Sequence, residues 1–147
     1  MSDVVESKEL LLIKYRDGEL RGCTFRKMRL SGMHLHGADF TDCTFESCDM
    51  DGMTLTGATL SRATFSRVDV RRTLLDRATM KRTTFSDCNL TETDFQHALL
   101  EDARFERCDM DNAIFDHAYL GNCQLQPNRA YGLKLRQTVL LRCTFST

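Results

Sequence analysis

The chain of 147 residues has a single proline and no segment rich in glycine and serine, so nothing in its composition marks a linker. A chain of this length can form one domain with a substantial core. We therefore expect one folded unit.

Long apolar runs and an excess of charge of one sign are missing as well. The run from Leu10 to Ile13 is too short for a membrane span or a signal peptide, and Asp3 and Glu6 precede it where a signal peptide is basic. We expect a cytoplasmic protein with reduced thiols and no membrane contact. The formal net charge of −1 provides no overall field that would attract nucleic acid.

Large apolar residues recur every five positions. All residues whose number is a multiple of five are large and apolar from Leu20 to Phe145, except Ala130. We call these the inward large positions. Two residues before each stands a mostly small residue (Ala, Cys or Thr) at the inward small position. A period of five fits neither a helix with about 3.6 residues per turn nor a strand with a repeat of about two. It indicates short extended sides separated by corners.

Six of the eight glycines mark those corners. They stand two residues after an inward large residue, at what we call the corner positions, where the positive φ that glycine tolerates is useful. These glycines are Gly22, Gly32, Gly37, Gly52, Gly57 and Gly132.

A longer repeat of twenty residues runs through the same positions. Six of the nine phenylalanines share one column, in which Leu125 fills the gap: Phe25, Phe45, Phe65, Phe85, Phe105 and Phe145. Four five-residue sides therefore make one coil, and residue n stacks on residue n+20. The prediction is an all-β, four-sided parallel β-solenoid of about six coils, spaced by about 4.8 Å.

Units such as GADFT at 37–41, GATLS at 57–61 and NAIFD at 112–116 resemble the A(D/N)Lxx motif of pentapeptide repeat proteins. The register covers residues 19–147. The resemblance implies a right-handed quadrilateral β-helix. It also implies a functionally diverse and mostly non-enzymatic family whose members often pair through their C-terminal ends.

Two segments depart from this pattern. Residues 1–18 precede the repeats, and we expect them to form an N-terminal cap over the open end of the core, with residues 9–15 as a strand. Within residues 126–130, Pro127 occupies a corner and Asn128 an inward small position, which predicts a distorted corner.

All seven cysteines occupy inward small positions, where a free cysteine behaves as a small buried hydrophobe. Zinc sites need four converging ligands, which this spacing does not supply. We predict core packing, with no metal, cofactor or redox role. Three pairs stack on adjacent coils within disulfide range, but free thiols are expected in a reducing cytosol. The pairs are Cys23 with Cys43, Cys88 with Cys108, and Cys123 with Cys143.

Five arginines at successive corners (62, 67, 72, 77 and 82) encircle one coil instead of lining one face. On the solenoid, charged residues stack on opposite charges twenty positions away, which favours charge ladders between coils over a nucleic-acid groove. The predicted ladders are Asp42, Arg62, Arg82 and Asp102; Arg67, Asp87 and Arg107; Arg72 and Glu92; and the pairs Arg26–Glu46, Asp51–Arg71 and Lys81–Glu101. No interleaved aromatic residues support base stacking.

The predicted geometry brings no set of catalytic side chains together. His97 and His117 stack outward near Asp116, but no third ligand is aligned for a metal. Outward Ser, His and Asp residues lie on flat faces without the pocket that an active site needs. We expect a protein without catalytic, cofactor-binding or metal-binding residues.

An apolar stripe predicts an interface in the C-terminal half. Leu99, Tyr119 and Val139 stack on one face where the earlier coils carry polar residues, and an open last coil is prone to association. We expect a homodimer, or an unidentified protein partner, at this surface. Its candidate residues are Leu99, Ile114, Tyr119, Val139, Leu141 and Phe145.

Three functions fit these features. The first is a protein–protein interaction module or scaffold. The second is a DNA-mimicking binder of a type II topoisomerase, as in the quinolone-resistance branch of the family. It requires an acidic face, which the arginines at 62–82 oppose. The third, nucleic-acid binding by those arginines, ranks last.

Overall fold

A computed structural model describes residues 2–146, which form twelve strands and one helix. The elements are β1 (Asp3–Val5), α1 (Lys8–Asp17), β2 (Cys23–Arg26), β3 (Thr44–Glu46), β4 (Thr64–Ser66), β5 (Thr79–Lys81), β6 (Thr84–Ser86), β7 (Leu99–Glu101), β8 (Arg104–Asp109), β9 (Tyr119–Gly121), β10 (Gln124–Arg129), β11 (Val139–Leu141) and β12 (Thr144–Phe145).

The strands wind into a four-sided parallel β-solenoid, as the repeat predicts. One face is an eight-stranded sheet in the order β1-β2-β3-β4-β6-β8-β10-β12, and a second is a four-stranded sheet in the order β11-β9-β7-β5. Single parallel bridges, such as Asp49↔Asp69 and Thr54↔Leu74, connect the coils on the other two faces. Phe25 pairs with Phe45 and Phe45 with Phe65, which confirms the predicted stacking of residue n on n+20.

The solenoid has about seven turns, whereas the sequence pattern predicted about six. The difference arises at the N-terminus. Asp3–Val5 pairs with Cys23–Phe25 and so adds a rung that precedes the recognisable repeats.

Phenylalanine rings form the centre of the core. Phe25, Phe45, Phe65 and Phe85 stack with ring centroids 4.6–4.7 Å apart and nearly parallel planes. Phe95 meets Phe85 and Phe105 edge-to-face. Both arrangements are favourable for aromatic quadrupoles, so the twenty-residue repeat turns identical residues into continuous apolar stacks.

Every corner position from 22 to 142 has positive φ except Pro127, whether or not the residue is glycine. The six corner glycines are joined by eighteen non-glycine residues with φ of 52–62°. A left-handed conformation costs a residue with a side chain roughly 1–2 kcal/mol. The backbone hydrogen bonds on both sides of each corner must therefore offset this conformational cost.

The inward small positions have a hydrogen-bonding role that the sequence pattern did not reveal. Cys43 Sγ donates to the Leu20 carbonyl at 2.9 Å, and Thr73 Oγ1 donates to the Met50 carbonyl at 2.7 Å. In both cases the acceptor is the inward large residue 23 positions earlier. Cys and Thr are therefore interchangeable here as small side chains that each offer one donor. Six cysteines are buried as predicted, whereas Cys143 is partly exposed.

The N-terminal segment differs from its prediction, because residues 9–15 belong to helix α1 and not to a strand. The Ser7 side chain accepts a hydrogen bond from Leu10 N–H, and Gly18 ends the helix in a left-handed conformation with φ of 72°. These are standard helix-capping signals. Leu11 is fully buried against the core. The division of the chain at residue 18 stays a prediction.

The corner at Pro127 is distorted, as predicted. The pairing of β10 with β8 shifts register at Gln126/Pro127 and again at Pro127/Arg129. Asn128 is exposed instead of inward, and its Nδ2 donates to the Arg107 carbonyl at 3.0 Å. Pairing twenty residues apart resumes with Ile114↔Lys134.

Corner strain gives a first prediction. Arg82 is exposed, has φ of 59° and makes no ion pair within residues 2–146. Arg82→Gly should be more stable than Arg82→Ala by about 1 kcal/mol, because both lose the charge and only alanine keeps the Cβ. Chemical denaturation of the two variants measures the difference. Equal stability would mean that the corners are not strained.

The hydrogen-bond donors at the inward small positions give a second prediction. Cys43→Ala should keep the fold and cost about 1 kcal/mol, through lost packing and a lost donor. Cys43→Thr should recover much of that loss, because threonine occupies the same position at Thr73, Thr83 and Thr93. Thermal unfolding of the three proteins provides the test. A threonine variant less stable than the alanine variant would refute the donor role.

Candidate interaction surfaces

The five corner arginines at 62, 67, 72, 77 and 82, which we call the arginine girdle, are largely neutralised. Four of its five guanidinium groups form salt bridges: Arg62 with Asp42 at 2.7 Å, Arg67 with Glu46 at 2.8 Å, Arg72 with Asp51 at 2.5 Å and Arg77 with Asp76 at 3.1 Å. Only Arg82 lacks such a partner in the part of the chain that the structure describes. The girdle therefore offers little free positive charge to a phosphate backbone.

Several ion pairs are bidentate and join neighbouring coils, among them Arg72 with Asp51 at 3.0 and 2.5 Å. Arg62 holds Asp42 through Nε and Nη2 at 2.7 and 3.1 Å, and Arg107 holds Asp87 at 2.8 and 3.1 Å. The hydrogen bonds from these arginines lower the pKa of Asp42 and Asp87 below their ordinary values. Any stability they add is present above the carboxylates' unfolded pKa and is lost as the pH falls through the folded pKa.

The predicted ladders form in part. Arg62–Asp42, Arg107–Asp87, Arg26–Glu46 and Lys81–Glu101 pair as expected. Four other predicted contacts do not form among residues 2–146: Arg67–Asp87, Arg72–Glu92, Arg82–Asp102 and Arg71–Asp51.

Side-chain reach explains these differences. Arg67 and Arg72 bond to carboxylates 21 residues earlier, in the adjoining register of the previous coil. Arg71 turns back to Asp69, two residues away. A long arginine side chain at a corner can reach either the carboxylate twenty residues earlier or one 21 residues earlier, in the adjoining column. The predicted ladders considered only the spacing of twenty.

Acidic residues without a salt bridge within residues 2–146 cluster around one part of the rod. Apart from Asp49 and the acidic residues before residue 20, these residues are Glu92, Asp94, Asp102, Glu106 and Asp109. Their positions are spread over all four sides of the solenoid. They form a ring and not an acidic strip along one face.

Asp49, Asp69, Asn89 and Asp109 stack on successive coils as a polar stripe, and side chains of this type stabilise corners. Asp49 Oδ1 accepts the Asp51 N–H at 3.1 Å, and Asn89 Oδ1 accepts the Thr91 N–H at 3.0 Å. Asp94 does the same for Gln96 at 2.9 Å. Asp and Asn side chains favour such local turns. The stripe therefore has a structural role.

His97 and His117 stack as predicted, with ring centroids 5.0 Å apart and planes within 6°. Within residues 2–146, no group of three His, Cys, Asp or Glu side chains is arranged to hold a metal. A recess of about 560 Å³ lies beside His117. Its carboxylate, Asp116, is already bonded to Arg136.

The predicted interface residues lie at the C-terminal end but are unequally exposed. Leu99, Tyr119 and Val139 are direct neighbours on the four-stranded face. Tyr119 lies over Gly121, where an added Cβ would be 3.0 Å from the ring. Val139, Leu141 and Phe145 are exposed, whereas Leu99 and Tyr119 are half-buried. Ile114, also half-buried, lies on the adjoining face.

The last coil (residues 126–146) also exposes residues that the sequence analysis missed. Leu140 occupies an inward large position but is exposed, because no described coil covers it. Tyr131 is 74% exposed. It follows the distorted corner and lies beside Arg129, whose guanidinium is 5.8 Å from the ring centroid. The repeat predicted Leu140 as core, and Tyr131 belongs to the irregular segment.

Two aspartates tie this coil to the one before it. Asp111 accepts the Tyr131 N–H at 2.8 Å and pairs with Arg129 at 2.7 Å. Asp116 is buried and accepts from both the Arg136 N–H at 2.8 Å and its Nε at 2.9 Å. Burial opposes ionisation of Asp116, but the hydrogen bonds from Arg136 outweigh it, so its pKa lies below the ordinary value.

A family model described as a pentapeptide repeat region matches residues 18–95 and 72–135. No curated protein matches the chain. The solved structure of Rfr23, a pentapeptide repeat protein from the cyanobacterium Cyanothece 51142, is 18% identical and has a TM-score of 0.51, covering 96% of this chain and 97% of that one. At this identity the likeness shows the fold alone.

Two other solved structures have lower TM-scores. QnrB1, a plasmid-mediated fluoroquinolone resistance protein, is 13% identical with a TM-score of 0.43, and the match covers 86% of this chain and 81% of that one. HetL, from the cyanobacterium Nostoc sp. strain PCC 7120, is 13% identical with a TM-score of 0.29, covering 95% and 94%. Among residues 2–146, no helix has the length and apolar character needed to cross a membrane.

The bidentate pairs give a third prediction. Asp87→Lys removes the partner of Arg107 and should lower the midpoint of thermal unfolding at low salt, with a smaller loss at high salt. Glu92→Lys is the matched control, because it makes the same charge reversal at a corner without a salt bridge within residues 2–146. Thermal unfolding at low and high salt compares them. Equal losses would show that the Arg107–Asp87 pair contributes nothing of its own.

Proposed function

The chain belongs to the pentapeptide repeat family, and we propose that it is a non-enzymatic protein–protein interaction module. It presents rigid faces and an apolar C-terminal end to other proteins. The exposed apolar surface of the last coil is the observation that carries this proposal.

Exposed large hydrophobic residues are concentrated in that coil. Of nine such residues in the described chain, five lie between 131 and 145: Tyr131, Val139, Leu140, Leu141 and Phe145. Scattered apolar residues are ordinary on protein surfaces, whereas a contiguous group usually marks a contact site. Tyr131 and Arg129 are also of the residue types that dominate binding energy in interfaces.

A second copy of the chain is the partner that we propose for this end. The two ends of the described solenoid differ, because α1 places Leu11 against the core at one end while Leu140 and Phe145 lie exposed at the other. Stacking the C-terminal end of one copy on the N-terminal end of another would have to displace α1. Two C-terminal ends can cover each other around a two-fold axis, which gives a closed dimer and not a filament.

The shape of the molecule supports a non-enzymatic role. Fully buried Phe, Leu, Met, Ala and Cys side chains fill the interior. The recesses on the outside are lined by ion-paired residues, as at Arg26, Glu46 and Arg67. Such recesses lack the apolar, water-excluding walls of typical ligand sites. We also propose the cytoplasm as the location of the protein, because seven unpaired cysteines suit a compartment in which thiols stay reduced.

The two alternative functions have less support. Nucleic-acid binding by the girdle requires free cations, and four of its five arginines are paired. Mimicry of DNA requires negative charge along one length of the rod, but the unpaired acids encircle it. We therefore place both behind protein–protein interaction.

The proposed dimer gives a fourth prediction. Val139→Lys combined with Leu141→Lys should convert a dimer into a folded monomer, because both side chains are exposed in the last coil, where the contact would bury the added charges. Thr59→Lys with Ser61→Lys is the matched control, since these residues occupy the corresponding positions of an earlier coil. Light scattering gives the molecular mass and circular dichroism checks the fold. Unmodified protein that is monomeric at high micromolar concentration would contradict the homodimer.

The topoisomerase alternative gives a fifth prediction. Supercoiling by a bacterial type II topoisomerase should be unchanged when the purified protein is added in excess, because no single face carries a continuous acidic strip. Inhibition that persists in a Glu92→Lys, Asp94→Lys variant would point to another contact on the enzyme. Inhibition that these changes abolish would establish mimicry and displace our proposal.

A further inference from the structure

Cys123 and Cys143 lie side by side on the last two coils. Thr144 N–H donates to the Cys123 carbonyl at 2.9 Å, so the two cysteines are neighbours across the boundary between coils. Cys123 Sγ donates to the Leu100 carbonyl at 3.5 Å and Cys143 Sγ to the Leu120 carbonyl at 3.1 Å, so the two thiols occupy equivalent inward positions on adjacent coils. A spacing between coils of about 4.8 Å places the two Cα atoms within the separation that disulfides span.

Cys143 differs from the other six cysteines in its access to solvent. It is partly exposed, whereas the remaining six are buried. Its Sγ donates to the Leu120 carbonyl at 3.1 Å, which keeps it at the inward small position of the open coil. Burial raises the pKa of the Cys123 thiol to about 12, so Cys143 is the group that meets a reagent first.

A second stacked pair provides an internal comparison. Cys88 and Cys108 also occupy equivalent inward positions on adjacent coils, with their Sγ atoms donating to the Phe65 and Phe85 carbonyls at 3.4 Å, but both are buried. Parallel stacking keeps Cβ atoms about 4.8 Å apart, slightly beyond the usual disulfide value, so bond formation requires the coils to approach. Coils in the middle of the rod are held on both sides. The described part of the last coil is held on one side only and can close that gap.

We propose that Cys143 and Cys123 form a reversible disulfide that staples the last coil to the solenoid when the protein meets a low-molecular-weight disulfide such as oxidised glutathione. The Cys143 thiolate attacks one sulfur of the reagent, forms a mixed disulfide and releases one glutathione thiolate. Transient opening of the last coil then lets Cys123 attack the Cys143 sulfur. This step releases the second glutathione, and the Cys123 proton passes to solvent or to the leaving thiolate.

The staple would regulate the proposed interface, and this consequence rests on the proposed function. Tyr131, Val139 and Leu140 lie within the coil that the bond would fasten. A fastened coil presents these side chains in one arrangement, so a partner pays less ordering entropy on binding. Oxidation should therefore strengthen self-association.

The test begins with purified reduced protein and oxidised glutathione at mildly alkaline pH. The intact mass should fall by two hydrogen atoms, and peptide mapping should find Cys123 joined to Cys143. Amide exchange at Thr144 and Ser146 should slow by about tenfold or more, because the bond restricts opening of the coil. Before oxidation, a thiol reagent should modify Cys143 well before the other six cysteines.

Two variants provide controls. Cys143→Thr keeps a hydrogen-bond donor at this position, as Thr138 does natively, and should form no disulfide. Cys88→Thr should form the Cys123–Cys143 bond as the unmodified chain does. A mixed disulfide that never closes, a Cys143 bond between two chains, or equal oxidation of Cys88 with Cys108 would each overturn the staple.

Light scattering of the reduced and oxidised forms separates the two proposals. A mapped disulfide in a protein that stays monomeric would contradict the dimer and leave the staple standing. A dimer that forms without the disulfide under oxidation would support the interface and refute the staple.

Discussion

The hydrogen-bonded stacking of one coil on the next is the interaction on which the rest of the structure depends. Residues twenty positions apart are paired by backbone hydrogen bonds between groups 19 and 21 positions apart, as from Phe40 N–H to the Thr59 carbonyl at 2.8 Å and from Thr59 N–H to the Ala38 carbonyl at 2.9 Å. Five-residue sides, with a positive φ at every corner except Pro127, maintain this register along the rod. The inward residues then form continuous stacks of Phe and Leu, and Cys and Thr hydrogen-bond to the previous coil.

The same stacking decides what the surface can do. Outward residues twenty positions apart become neighbours, so opposite charges neutralise each other and the arginine girdle loses most of its free charge. A coil in the middle of the rod hydrogen-bonds to and packs against the coils on both sides of it. A coil at an end leaves apolar side chains and backbone groups exposed, and here it carries Tyr131 and Leu140. Function is therefore expected where the stacking stops.

The periodic features were predictable from the sequence. The inward positions, the corner glycines and the burial of six cysteines follow from registers of five and twenty. The helix α1 was missed because residues 9–15 were assigned to a strand although the segment is flanked by Ser7 and Gly18, which are helix-capping residues. The pairing of Arg67 with Glu46 was missed because long side chains reach diagonally. Leu140 was assigned to the core because a repeat pattern contains no information about what covers its last coil.

Native-state hydrogen exchange at two protein concentrations tests most directly whether the last coil is the interaction surface. At low concentration, amides in the coils that contain Phe45, Phe65 and Phe85 should be the most protected, and those of residues 126–146 among the least. At high concentration, protection should rise in residues 126–146 and remain unchanged elsewhere. Equal protection along the rod, or protection of the last coil that does not depend on concentration, would contradict the account.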